Sequence, residues 1–289
     1  MQSITEKFPT VPLADLVSAI RHYPSSTLDE QLAFISFLVN RHPTLSLEWG
    51  PGWSYKRARK LGVDECPSKV RDLIWKPDAP AAVGRANPAG FQVLYLADRF
   101  ETAFSEICVE DDDVLLAQFS ILPGRSIRLL PIGELTQIHR TGRGFLSGEF
   151  SNQLSNIIKA FKHDEAKSLL MADTFLLDCL ISDDDDYVRC SYLAKCIFEK
   201  QQVVSAIVYP SVRQSGSLNL VVKKDQFWKN WGIHSARRGQ VTHLACGYYS
   251  FTNTRHVTWI DSGGTLRWND QLSDENTAVL FDPLWTLES

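Results

Sequence analysis

The chain lacks most of the motifs by which enzymes hold cofactors. No G-x-G-x-x-G follows a strand pattern and no P-loop appears, so neither standard phosphate cradle is present. "GRGFLSGEF" is glycine-rich but fits neither pattern. No H-E-x-x-H or other ligand spacing suggests a metal, and no G-x-S-x-G elbow anchors a hydrolase triad. The six cysteines (Cys66, Cys108, Cys179, Cys190, Cys196, Cys246) form no C-x-x-C pair, and no histidine lies at zinc spacing from them. They read as free, largely buried thiols of a reducing cytoplasm. No apolar run reaches the roughly 18–20 residues of a membrane span. The opening "MQSITEKFPTVPLADLV" lacks the basic start and apolar block of a signal peptide. Positive charge is not in excess either. A net charge of −4 gives no general attraction to nucleic acid or anionic membrane. The expectation is a cytoplasmic protein with no nucleic-acid, membrane or metal partner.

What is present is an ordinary globular composition, 44% hydrophobic and 22% charged over 289 residues. "TLDEQLAFISFLVNRH" predicts a helix with a Thr27/Glu30 capping box and an apolar stripe of Leu28, Leu32, Ile35 and Val39. Strand patterns follow in "FQVLYLA", "DVLLAQFSI" and "SIRLLPI", with a helix in "RFETAFSEI". Residues 150–200 carry three helical patterns, and "VVSAIVYPS" and "LNLVVKK" read as strands. "QVTHLACGYYSF", "RHVTWID" and "TLRWND" predict further strands, the last two joined by a hairpin at "DSGG". Trp228, Trp231, Trp259 and Trp268 are expected to pack this C-terminal part. His139, His234 and His256 read as structural or surface residues. The acidic runs at 110–113 and 183–186 read as solvated helix ends or loops. Strands in clusters and helices in runs argue for an α+β protein. The expected division is an N-terminal helical segment 1–50, a central domain 51–225 and a C-terminal β-rich extension 226–289 packed on it.

One stretch, "VGRANPAGFQVLYLADRFETAFSEICVEDDD", runs from Val83 to Asp113. It places Arg85 in a loop, Tyr95 in a strand and Glu106 in the first turns of a helix. Those types suit a cationic clamp, an aromatic platform and a carboxylate of one site. Planar guanidinium donors match phosphate, and an aromatic face matches a flat ring. A rigidly held carboxylate can stabilise developing positive charge.

With "YKRAR" before it and "VVSAIVYPSVRQSGSLNLVV" after it, this stretch resembles the RES domain, named for its Arg, Glu and Ser. The resemblance covers roughly residues 50–225. It implies an ADP-ribosyltransferase-like split β-sheet core with flanking helices. It also implies an enzyme that consumes NAD as substrate, by hydrolysis or phosphorolysis. A toxin checked by an antitoxin protein is the implied setting. A mono-ADP-ribosyltransferase acting on a protein or metabolite is the alternative, and a non-catalytic NAD-binding module is another. The residues carried over are Arg57, Arg85, Tyr95, Glu106 and Ser211, with Glu106 as the catalytic carboxylate. Arg57 and Arg85 would grip the pyrophosphate, Tyr95 would face nicotinamide, and Ser211 would meet phosphate or ribose. Arg59 is a rival for Arg57, and Lys56 adds a third cation. Ala86 stands where many members have a bulky aromatic.

Overall fold

The computed structural model describes residues 8–75, 82–182, 187–272 and 278–287. The acidic run at 183–186, Pro77, Pro80 and the first seven residues lie outside them. Among the described residues the chain has eight α-helices and ten strands. It is a mixed α/β protein with a large antiparallel sheet. No helix among the described residues is long and apolar enough to cross a membrane. The chain divides into two compact units that interleave along the sequence. Unit 1 is Met1–Leu47, Pro80–Phe91 and Arg128–Tyr209; unit 2 is Glu48–Ala79, Gln92–Ile127 and Pro210–Ser289.

Unit 1 is mainly helical: α1 (Leu13–His22), α2 (Leu28–Arg41), α4 (Glu134–Thr141), α5 (Ser151–Ala160), α6 (His163–Ile181) and α7 (Val188–Lys200). Its strands β5 (Ile127–Pro131) and β6 (Val204–Pro210) pair in parallel. The start of α2 follows the sequence signal. Glu30 N–H donates to Thr27 Oγ1 at 3.4 Å, and Thr27 N–H donates to the Glu30 carboxylate at 2.8 Å. The buried face differs from the expected stripe: it is Gln31, Ile35, Leu38 and Val39, while Leu28 is exposed. Gln31 can lie inside because its amide is satisfied. Its Nε2 donates to the carbonyls of Tyr23 and Ser26, and its Oε1 accepts from Arg189 Nε at 2.6 Å.

Helix α4 was not expected, and it explains the glycine-rich run. Glu134 is fully buried, and its carboxylate accepts from the backbone N–H groups of Phe145, Leu146 and Ser147. A Cβ on Gly144 would collide with that carboxylate. The run therefore forms an anion-binding nest whose anion is the chain's own glutamate.

Unit 2 is built on antiparallel strands in the order β7 (Leu218–Lys223), β3 (Val93–Ala97), β2 (Ser54–Lys60), β4 (Asp111–Ile121), β8 (Trp231–Ala245), β9 (Tyr248–Ile260) and β10 (Leu266–Trp268). Strand β1 (Leu47–Trp49) precedes β2 in the chain. Two helices complete the unit, α3 (Phe100–Glu106) and α8 (Lys224–Asn230). The core lies on both faces of the sheet, as strand alternation requires. One face carries Ala58, Ala97, Val114, Leu116, Val241 and Phe251 under Ala103 and Phe104 of α3. The other carries an aromatic cluster. There Tyr55 meets Trp231 at 5.5 Å, and Phe119 meets Phe227 at 5.5 Å. Such pairs add about 0.5–1.5 kcal/mol each beyond the area they bury.

Three expectations are corrected in this unit. Asp111–Asp113 of the acidic run are solvated as expected, but they form the start of β4 rather than a loop or helix end. Neighbouring strands supply its partners: Asp111 accepts from Thr242 and Gln240, and Asp112 pairs with Lys60 at 2.8 Å. "QVTHLACGYYSF" is not one strand. The chain reverses at Cys246 (φ 53°) and Gly247 (φ 77°), a hairpin turn with two left-handed residues. Trp231 is fully buried, but Trp259 is 65% exposed on the outer side of β9.

The sheet narrows between β2 and β3. β2 registers with β4 along its whole length and β3 with β7 along its whole length. β2 and β3 share one register pair, Lys56↔Ala97. The strands part beyond it.

Candidate active site

Glu106 is the last residue of α3, not in its first turns. A carboxylate at a helix C-terminus faces the negative end of the helix dipole, so it needs donors from elsewhere. It has two. Ser211 Oγ donates to Glu106 Oε1 at 2.7 Å, and Asn219 Nδ2 donates to the same oxygen at 2.7 Å. Glu106 Oε2 has no partner among the described residues.

Each donor is itself fixed. Ser211 follows β6 at the head of a short closed loop. Its N–H donates to Ser217 O at 2.8 Å, and its Oγ accepts from Gln214 N–H at 3.1 Å. Gly247, at the tip of the β8–β9 hairpin, sits against the end of the Gln214 side chain. Asn219 is 6% exposed and registers with Ala97 in β3. Tyr95 lies two residues earlier on the same face of β3, in register with Val221, and is half-buried. The structure thus brings Glu106 and Ser211 together and sets Tyr95 on the same sheet face. Asn219 was not anticipated. Its signal was its place in "LNLVV", where strand alternation puts it on the side of the carboxylate helix.

The cations of "YKRAR" separate by strand alternation. Lys56 registers with Ala97, which registers with Asn219, so Lys56 shares the carboxylate's face. Its Nζ donates to the carbonyls of Ser54 and Asp98 at 2.7 and 3.0 Å. Burial lowers its pKa, and Asp98 and Glu101 oppose the shift. Arg57 and Arg59 point to the opposite face, with Tyr55. Arg59 is taken up by Glu65 at 2.7 Å. Arg57 has no ion pair or hydrogen bond among the described residues, and small side chains flank it, since it registers with Ala117 and Ala117 with Ala236. Burial, with Arg59 beside it, pushes its pKa down to about 10. The structure therefore does not bring Arg57 to the face of Glu106 and Tyr95.

Arg85 belongs to unit 1. It sits in a tight turn closed by Gly84 and Asn87, whose backbones exchange hydrogen bonds. Arg85 Nη1 donates to the carbonyls of Leu180 and Ser182 at 3.1 and 2.6 Å, and the guanidinium stands 5.7 Å from the Tyr187 ring. Ala86 beside it is fully buried.

Glu106 and Ser211 thus meet although 105 residues separate them in sequence. Residues 64–231 match the RES domain. The chain belongs to the RES domain family. RES domains are associated with NAD-processing enzymes and generally linked to NAD-related toxin–antitoxin systems. The matched span of this RES protein contains Arg85, Tyr95, Glu106, Ser211 and Asn219. It begins after Lys56, Arg57 and Arg59. No curated protein matches the chain.

Proposed function

We propose that this RES protein consumes NAD by cleaving the bond between nicotinamide and ribose, with water or phosphate as acceptor, and acts as a toxin. The carrying observation is Glu106, with one oxygen held by Ser211 and Asn219 and the other unpartnered among the described residues. As the C1′–N bond breaks, its electron pair goes to the nicotinamide nitrogen and C1′ becomes oxocarbenium-like. A fixed carboxylate oxygen beside that carbon stabilises the charge, and does so with little reorganisation. Oxygen of water or phosphate then bonds to C1′, giving ADP-ribose or its 1-phosphate. With water as acceptor, one proton is released.

The other residues fit supporting roles. Tyr95 offers an aromatic face to nicotinamide. Arg57, a guanidinium without a counter-ion, and Lys56 offer charge to the pyrophosphate, on the two faces of β2 where β2 and β3 part. The narrowing at Lys56↔Ala97 supports an ADP-ribosyltransferase-like split sheet.

The test is incubation of purified protein with NAD, with and without phosphate, followed by product analysis. Nicotinamide release is expected, together with ADP-ribose in water and a phosphorylated ADP-ribose in phosphate. Glu106→Gln should lose turnover by about 10²-fold or more, the usual effect of removing a group that stabilises the transition state. Folded protein that releases no nicotinamide under either condition overturns the proposal. Label from NAD appearing on a protein acceptor would instead favour the transferase reading.

A further inference from the structure

We infer that Asn219 is the positioning residue of the carboxylate, fixing Oε1 so that Oε2 is the oxygen that meets the ribose; this rests on the NAD-cleaving reading. A glutamate has three rotatable side-chain bonds, and at a helix C-terminus nothing in its own helix restrains it. Ser211 alone would leave it free to swing about one hydrogen bond. The second donor comes from a different element, β7, and approaches the same oxygen. Two donors from two directions on Oε1 define the plane of the carboxylate, and Oε2 then has one place to be.

Asn219 suits that task better than a loop residue. It lies inside β7, bonded on its β3 side through the Ala97 register, and is 6% exposed. Ala97 opposite it is small, so no bulky neighbour stands in line with the glutamate. Its amide nitrogen can only donate, which suits an ionised acceptor. Asparagine at this position therefore does what serine or threonine, with a shorter and rotating hydroxyl, would not.

The experiment compares NAD turnover of wild type, Asn219→Ala and Asn219→Asp, with circular dichroism and thermal midpoints to establish folding. Asn219→Ala should lower kcat by about 10- to 100-fold, the range for partners that orient a functional group. KM for NAD should stay within about 3-fold, because ground-state binding is left alone. Asn219→Asp keeps the shape but sets a second carboxylate against Glu106. Two carboxylates in contact titrate as a pair and hold one proton between them at low pH. The Asp variant should then be weak at pH 8 and recover towards wild type as pH falls towards 5, a profile that a merely structural role would not produce. If Asn219→Ala does not fold, the isosteric Asp variant carries the test. An Asp variant whose pH profile parallels wild type, or a folded Ala variant with unchanged kcat, overturns the inference while leaving NAD cleavage standing. Wild type without nicotinamide release overturns both.

Discussion

Arg57 is the residue whose surroundings make least sense without an anion. A half-buried guanidinium with no counter-ion among the described residues is partly desolvated without compensation, and its depressed pKa expresses that. The neighbouring Arg59 is neutralised by Glu65, so the two arginines that looked interchangeable in "YKRAR" are not. Replacing an unpaired, half-buried charge with an apolar group of similar length removes part of a desolvation penalty. Arg57→Met should therefore unfold at the same or higher urea concentration, with stability level or raised by about 1 kcal/mol or more. The same change should weaken NAD binding by about 10-fold or more, the loss of one charge-assisted contact. Urea titration and calorimetry on one preparation check both halves. Loss of stability with unchanged NAD affinity would make Arg57 a structural residue.

At the scale of elements, the helix-closing carbonyls of α2 show how a polar residue comes to be buried. Lys200 Nζ, from α7, donates to Val39 O and His42 O at 2.6 and 2.7 Å, at the negative end of α2. His42 is 5% exposed beside that ammonium, and burial first, then Lys200, pushes its pKa from 6.5 to about 4. The unfolded chain thus binds a proton between about pH 6.5 and 4 that the folded one refuses. Stability is complete above pH 6.5 and falls as pH drops towards 4, by up to about 3 kcal/mol. Urea midpoints from pH 7 to pH 4 should fall more steeply for wild type than for His42→Gln, and parallel curves would contradict the assignment. Nothing in "NRHPT" marks that histidine as buried. Capping boxes and strand patterns act through neighbours in sequence, so α2, β3 and α3 were legible there. Gln31 and Glu134 were not, because the groups that satisfy them lie 5–158 and 11–13 residues away. The site divides the same way. Glu106 and Ser211 were legible from motif, whereas Asn219 and the facing of Lys56 needed the register of β3 against its two neighbours.

At the scale of the molecule, the RES match ends at Trp231, the first residue of β8, but the sheet does not end there. All eleven residues of β4 register with β8. The helix that carries Glu106 rests on the extension too. Phe104 meets Phe251 and Tyr249 of β9 at 5.7 and 5.6 Å, and Val241 of β8 joins the same cluster. The hairpin tip at Gly247 abuts Gln214 in the Ser211 loop. Residues 232–289 therefore belong to the machinery that places both the carboxylate and its serine. Losing the burial of Phe251 and Val241 alone removes about 2 kcal/mol each, against a total stability of about 5–15 kcal/mol. It would also turn the apolar β4, with Leu115, Leu116, Ala117 and Phe119, into an open edge. A chain ending at Trp231 should be insoluble or elute as aggregate in size exclusion, where the full chain elutes as a defined species. If the shortened chain unfolds cooperatively and keeps its NAD turnover, residues 232–289 are an accessory, and target recognition becomes the better account of them.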